Sequence, residues 1–327
     1  MSAEQTAHVV LIPSYNTGAR LFATIAAVRR FGLPVIVVID GSTDGTGDRL
    51  VRMAARDPAL LACVLPRNQG KGAAVLHGLH QARSRGFTHA VTMDADGQHS
   101  AAHIGALIAL SVAHPRAMVL GRPVFDDSAP RIRVFGHRIA NFCTGLVTTQ
   151  GAIGDSLFGF RVYPIRPLIE TFARTTAMRR FDFDSEAAIR LYWLGIPPIN
   201  VATPVRYFRR DQGGVSHFKY LRDNLLLAAM YARLAAALLL NAVARLIRRT
   251  GQSWDRQAVT PTGGLNDSRS IPTRHGPARP GYPSRHNAAA GLDEALRRRG
   301  PGHDASEGRT SVFPPAGLRS SRRNSDT

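Results

Sequence analysis

A chain of 327 residues with 44% hydrophobic content has room for one sizeable domain plus extensions, which sets aside disulfide-stapled miniproteins and wholly disordered chains. Its two cysteines, Cys63 and Cys143, lie in apolar surroundings without metal-ligand spacing and predict a reducing compartment. The formal charge of +19 suits nucleic acid or anionic lipid equally. No helix-turn-helix or RNA-binding signature accompanies that charge, so no nucleic-acid partner is expected.

The start, Met1 to Gln5, has neither a basic region nor a long apolar run, and predicts no secretory leader. Apolar runs at Val9–Ile12, Val35–Ile39, Ala62–Leu65, Ala90–Met93 and Met118–Leu120 read as strands. Between them, helical patterns cover Ala19–Phe31, Thr46–Arg56, Lys71–Arg85 and Ala101–Ala113. Buried strands alternating with helices of roughly 10–15 residues imply βαβ units and a mostly parallel, Rossmann-like α/β sheet. Ligands of such sheets bind beyond the carboxyl ends of the strands. Three polar clusters fall there: Pro13 to Asn16, Asp40 to Gly45, and Asp94 to His99.

Asp94 and Asp96, two positions apart past a buried strand, form a hard oxygen site suited to Mg²⁺ or Mn²⁺ shared with a substrate's phosphates. An isolated pair of this kind is more often a polar turn; three loaded loops on one rim outweigh that. Asp40 can accept from a base N–H or a ribose hydroxyl, Tyr15 offers a stacking face, and Pro13 stiffens its loop. Asp44 reads as a turn cap. Asn68 to Gly72 precedes a helix whose first N–H groups, with Lys71, either face an anion or meet solvent. With a cation such as Arg122, the set recognises a nucleoside diphosphate, and a metal there would neutralise charge on a departing diphosphate. The first strand leads into no Gly-rich turn, which argues against a dinucleotide oxidoreductase.

From Pro115 to Arg222 the pattern is less regular. Gly154 to Arg161 reads as a loop entering a strand. Phe181 to Glu186 opens a helix with Asp or Ser capping, and Val201–Phe208 reads as a strand. From Leu225 to Ala244 the chain is almost all Leu, Ala and Met, interrupted by Arg233 and Asn241. Its length allows a bilayer span, but a central Arg costs roughly 2.5–3.5 kcal/mol. A helix lying in the membrane plane, or packed on the domain, avoids that cost. Beyond Gly251 the chain is rich in Pro, Gly, Ser and Arg and reads as disordered, with Arg297–Arg299 as a basic cluster. The expected division is therefore a catalytic domain over 1–222, an apolar and basic helix over 223–249, and a tail over 250–327.

The ordered run of Ile12 to Asn16, Ile39 to Gly45, Asn68 to Gly72 and Asp94 to His99 resembles the successive motifs of family 2 glycosyltransferases. The similarity is greatest to the dolichyl- and polyprenyl-phosphate branch. Gly121–Arg122, Asp155 with Gly159 to Arg161, Glu186 with Gly195, and Pro204–Val205 before Gly214 to Ser216 extend it. The resemblance implies a GT-A fold, a nucleotide-diphosphate sugar donor, a divalent cation, inversion at the anomeric carbon, and a lipid-linked acceptor at the cytoplasmic face of the membrane. By position it implies that Pro13, Tyr15 and Asp40 hold the nucleoside, that Asp94, Asp96 and Gln98 hold the metal, and that Arg122 meets the donor phosphates. Two positions depart from the pattern. Ile39 stands where an acidic residue is usual, and His217 where Lys is common, leaving Lys219 or Arg210 as substitutes.

The acceptor decides the catalytic group. A lipid phosphate is already an anion and needs no base, whereas a hydroxyl does. Asp155, Asp182 and Asp184 are the candidates, Asp155 being assigned to the acceptor side and the other two read equally as helix caps. Arg161 reads as a phosphate ligand or as the ion-pair partner of a nearby Asp.

Overall fold

A computed structural model describes residues 6–127, 129–208 and 220–257. His217, Arg210, Lys219 and the tail from 258, with Arg297–Arg299, lie outside the described residues.

The strands are β1 (His8–Ser14), β2 (Val35–Asp40), β3 (Leu60–Leu65), β4 (His89–Thr92), β5 (Met118–Phe125), β6 (Arg161–Pro164) and β7 (Pro198–Val205). They form one seven-stranded sheet in the order β3-β2-β1-β4-β6-β5-β7. Only β6 runs against its neighbours. The helices are α1 (Ala19–Arg29), α2 (Thr46–Ala54), α3 (Lys71–Ser84), α4 (Ile104–Ala113), α5 (Arg131–Val147), α6 (Ile165–Ala173), α7 (Asp182–Trp193) and α8 (Tyr220–Gln257).

Alternate residues of the central strands serve opposite layers, because successive side chains point to opposite faces. Val9, Leu11, Ile36 and Val38 pack with α3, α6 and α7, whereas Val10, Ile12, Val35, Val37 and Ile39 pack with α1, α2 and α4. Every residue of β2 is buried, so an apolar run marks this strand without any alternation. The first six strands, α1 to α4 and α7 fall where the sequence places them, β7 is Pro198–Val205 rather than Val201–Phe208, and α5 and α6 were not anticipated.

The sheet places the site in two ways. The order of strands reverses between β1 and β4, and such a switch point opens a crevice at the strand ends. The Tyr15 loop after β1 and the Asp94 loop after β4 flank it. The reversed β6 begins where β4 ends: Thr92 pairs with Arg161, and Thr92 Oγ1 donates to the Gly159 carbonyl at 2.9 Å. An antiparallel strand thus returns Phe158 and Gly159 to the same rim.

The apolar C-terminal segment is helical and longer than the 223–249 expected, with 38 residues in α8. Asp223, Leu227, Met230 and Leu234 form its buried face. Burying each large apolar side chain contributes about 1.5–3 kcal/mol, more than a half-exposed ion pair can. Arg233, the interruption noted in the sequence, donates to the buried Glu186 of α7 at 2.5 Å, and Glu186 also accepts from Arg190 at 2.7 Å. Leu221–Leu240 has a mean hydropathy of 1.5, long and apolar enough to cross a bilayer, yet 22% of it is buried in the protein. The compact unit containing the sheet extends along this helix to Ala244; Arg245–Gln257 belongs to a second unit, described only as helix.

Candidate active site

A cleft of about 870 Å³ opens over the switch point. Pro13, Tyr15, Asp40 and Asn68 line one part, Lys71, Asp94, Asp96, Gln98 and His99 the middle, and Arg133, His137, Phe158, Gly159, Asp184 and Tyr207 the far wall. Sequence-predicted residues Pro13, Tyr15, Asp40, Lys71, Asp94, Asp96, Gln98 and Asp184 are brought together here. Arg122, Asp155, Arg161 and Asp182 do not line it.

The Asp94 loop is held rigidly. Asp94 N–H donates to His99 Nδ1 at 3.2 Å, which leaves the proton on Nε2, 3.7 Å from Asp94 Oδ2. The His99 ring is packed 4.6 Å from Phe158 and 5.4 Å from Phe160, centroid to centroid. Burial, outweighing the attraction of Asp94, lowers its pKa to about 4, so it is neutral at pH 7. The Gln98 N–H donates to Asp96 Oδ1 at 3.0 Å, and the Gln98 carbonyl accepts from Arg206 beyond β7 at 3.2 Å. Burial and the neighbouring Asp94 carboxylate push Asp96 up to about 6. Two crowded carboxylates of this kind, one resisting ionisation, are a donor set that a hard divalent cation relieves. Among the described residues no group of three or more His, Cys, Asp or Glu could hold a metal. Asp94, Asp96 and Gln98, the residues expected to hold a metal, all line the cleft, and so few protein donors would leave other positions to a ligand, the open arrangement Mg²⁺ commonly takes.

Lys71 has a different place from the one expected. Its ammonium is 2.7 Å from both Asp94 Oδ1 and Asp184 Oδ2, with its side chain 14% exposed. It is a strut between two carboxylates rather than a free cation for donor phosphates. Gly159 makes the strut possible: a Cβ there would sit 2.7 Å from Lys71 Nζ and 3.1 Å from Asp94 Oδ2. Asp184 Oδ1 is buried and has no hydrogen-bond partner among the described residues. A carboxylate oxygen left this way in a cleft wall is a ready acceptor for a ligand hydroxyl.

The anion at the start of α3 also differs from expectation. Asp40 Oδ1 and Oδ2 accept from the Gln69 and Gly70 N–H groups, each at 2.7 Å. The Ala73 N–H donates to the Arg179 carbonyl at 3.1 Å. Of the first helical N–H groups that of Ala73 is thus taken by the protein itself, and Asp40 meets the cleft with one bond already accepted by each oxygen. Burial raises its pKa, against the pull of those two amides. Asp44 caps its turn as read, accepting from Thr46 N–H at 3.2 Å and Gly18 N–H at 3.0 Å.

The remaining acceptor-side candidates are structural staples. Asp182 accepts from the Met178 and Arg180 N–H groups at 3.1 and 2.9 Å, fixing a turn in which Met178 has φ 61°, so it organises the residues before α7 rather than capping it. Arg161, fully buried, donates to the carbonyls of Phe158, Asp155 and Asp184 and to the Tyr163 hydroxyl. It lies outside the cleft lining and bonds to carbonyls rather than to carboxylate oxygens, with the charges of Asp184 and Asp155 nearby. Asp155 Oδ1 accepts from the Leu157 and Phe158 N–H groups, and Oδ2 from Asn141 at 3.0 Å and His137 Nδ1 at 2.7 Å. Burial opposes its ionisation, but those hydrogen bonds, His137 foremost, hold its carboxyl below the usual range. With its oxygens so occupied, Asp155 reaches the cleft only through His137, which it orients. Arg122 is exposed and paired in register with Ala202, away from the cleft.

His99, Arg133, His137 and Tyr207 were given no role by the sequence reading. Arg133 lies over the Tyr207 ring at 5.2 Å, and its charge works in a small way against the burial and the Asp94 charge that raise Asp96. The signal for His99 was its place at the end of the Asp94 motif; α5, which carries Arg133 and His137, gave none.

The model of glycosyl transferase family 2 matches residues 9–184, more than half of the chain and all of the cleft's central strands. The chain belongs to that family. It is a glycosyltransferase, with the GT-A architecture described above. Among family relatives, it is 34% identical over 211 residues to the polyprenol monophosphomannose synthase of Mycolicibacterium smegmatis, covering 63% of this chain and 78% of that one. It is 26% identical over 220 residues to the undecaprenyl-phosphate mannosyltransferase of Micrococcus luteus, covering 63% and 85%. Its fold matches the glucosyl-3-phosphoglycerate synthase of Mycobacterium tuberculosis, crystallised with Mn²⁺, UDP-glucose and phosphoglyceric acid, with a TM-score of 0.52 at 18% identity over 72% and 79% of the two chains.

Proposed function

We propose that this glycosyltransferase moves a hexose-type sugar from a nucleotide-diphosphate donor to a polyprenyl-phosphate acceptor, with inversion and with a divalent cation bound. The observation that carries the reading is the convergence of Asp94, Asp96 and Asp184 on one cleft, with Tyr15 and Pro13 at its edge. The nucleoside lies against Tyr15, Pro13 and Asp40. Mg²⁺ or Mn²⁺, held by Asp94, Asp96 and Gln98, supplies counter-charge for the donor diphosphate. The crystallisation of a GT-A neighbour with Mn²⁺ and the names of the two relatives support the cation and the acceptor class.

In the transfer, an acceptor phosphate oxygen forms the new bond to the anomeric carbon while the bond to the nucleoside diphosphate breaks, and the diphosphate leaves with the electron pair. The acceptor is ionised before it arrives, so no proton has to be removed. This agrees with Asp155 and Asp182, which lie outside the cleft lining with their oxygens already engaged by hydrogen bonds. Asp184 Oδ1 accepts from a hydroxyl of the donor sugar, and Lys71 holds Asp184 and Asp94 at a fixed separation. Arg133 and His137 face the incoming phosphate. The work is done where lipid and water meet, on the cytoplasmic face of a membrane.

Purified full-length protein with Mn²⁺, a panel of nucleotide sugars, and either polyprenyl phosphate or the corresponding polyprenol tests this. Release of nucleoside diphosphate with the phosphate acceptor alone, abolished by chelation, is the expected result. Equal transfer to the alcohol, or turnover that survives chelation, overturns it.

A further inference from the structure

α5 carries an apolar stripe that nothing in the described protein covers. Ile132, Phe135, Ile139, Phe142 and Leu146 recur at alternating spacings of three and four and are 49–67% exposed. They run along one side of a helix about 25 Å long. An unbroken patch of this extent, two of its side chains aromatic, marks a contact surface rather than scattered surface residues.

Charge discriminates between the possible occupants. Arg131–Val147 contains Arg131, Arg133 and Arg138 and no Asp or Glu. Arg131 and Arg138 are exposed, and neither pairs with a carboxylate among the described residues. The spacing alone would suit a helix of a second copy, but two such helices would bring arginines together with no acid to answer them. An anionic lipid surface answers both the stripe and its flanking arginines. α8 packs beside α5, Tyr231 bonding to Thr144 and to the Ala140 carbonyl, and it too carries exposed apolar side chains, with Leu221, Leu225, Leu239 and Leu240 61–79% exposed.

We propose that α5 is an in-plane membrane anchor whose exposed face enters an anionic leaflet. The reading rests on no bound nucleotide or metal, so it can fail while the proposed chemistry stands. It adds an orientation to that chemistry, because Ile132, Phe135 and Ile139 belong to the stripe and also line the cleft. A leaflet gripping them faces the cleft mouth.

Flotation of the full chain with vesicles of phosphatidylcholine, or of equimolar phosphatidylcholine and phosphatidylglycerol, tests the anchor. Phe142→Glu with Leu146→Glu alters the stripe outside the cleft lining, at positions exposed enough to leave folding intact. The expected result is binding to the anionic vesicles that falls at least tenfold in the double variant, with an unchanged thermal midpoint, while Val51→Glu on α2 binds as the parent does. Parent-like binding by the double variant overturns the proposal. So does a dimer of the parent in vesicle-free solution that the double variant dissociates, which would assign the stripe to a second copy.

Discussion

Two sets of carboxylates within this domain, buried or half-buried, have the same residue type and opposite fates. Asp155 and Asp182 have both oxygens claimed by hydrogen bonds, mainly from backbone N–H groups of nearby turns. Asp96 and Asp184 line the cleft with oxygens less fully met, and Asp184 Oδ1 has no partner among the described residues. Burial therefore does not identify a working carboxylate; what separates the sets is how much of each oxygen's capacity the fold has already used. The first set stabilises turns. The second retains electrostatic capacity for a ligand.

The largest test of that contrast exchanges one member of each set. Asp96→Ala should lower transfer by about 10²–10³-fold or more, while the thermal midpoint stays level or rises, since a carboxyl pushed up to about 6 by burial and by Asp94 is removed. Asp182→Ala should do the reverse, losing about 2–4 kcal/mol by urea unfolding because two buried N–H groups lose their acceptor, with substantial turnover in the folded fraction. If both variants lost stability and activity in parallel, the distinction would fail.

Lys71 belongs to neither set and holds part of one together. Lys71→Met leaves Asp94 and Asp184 without their shared counter-charge, which should cost about 3–5 kcal/mol, the usual scale for breaking a buried pair. If the cleft accepts a divalent cation, Mn²⁺ should recover part of this loss in thermal unfolding while adding less to the parent. No recovery would indicate that the ammonium was needed for packing alone. Gly159→Ala pushes on the same strut more gently. The added methyl meets the ends of two side chains, which can shift, so turnover should fall about tenfold to a hundredfold, with a smaller loss of stability than Lys71→Met.

How much of this could be read from sequence follows the range of the contacts involved. The parallel core was readable because strands buried on both faces, such as Val35–Asp40, are continuous apolar runs. The rim loops were readable because each directly follows its strand. α5 was not, since its large apolar side chains face outward and so mark no core-facing helix. The fates of the carboxylates were hidden for another reason. Lys71 meets Asp184 across 113 positions, and Arg161 is satisfied by carbonyls, which any residue can supply. Residue type shows which groups can do chemistry; only tertiary hydrogen bonding shows which have been committed elsewhere.

The smallest effect lies on the opposite side of β4 from these loops, in pH dependence that owes nothing to the cleft. His8 Nε2 contacts Ser111 Oγ at 3.0 Å, and its ring stacks on His89 at 5.0 Å. Burial, with help from the charge of His89, lowers His8 to about 4 from an ordinary 6.5. Between those values the unfolded chain binds the proton and the folded one does not, so stability rises with pH across the interval. It is fully present above about 6.5 and is lost as the pH falls toward 4. Discounted for the partial exposure of His8, the change from pH 7 to pH 5 should be about 1 kcal/mol. His8→Gln should flatten urea unfolding midpoints over that range and leave the pH profile of transfer untouched. A transfer profile that moved with His8 would tie the floor of the sheet to its rim, and the separation between structural and working groups would have to be redrawn.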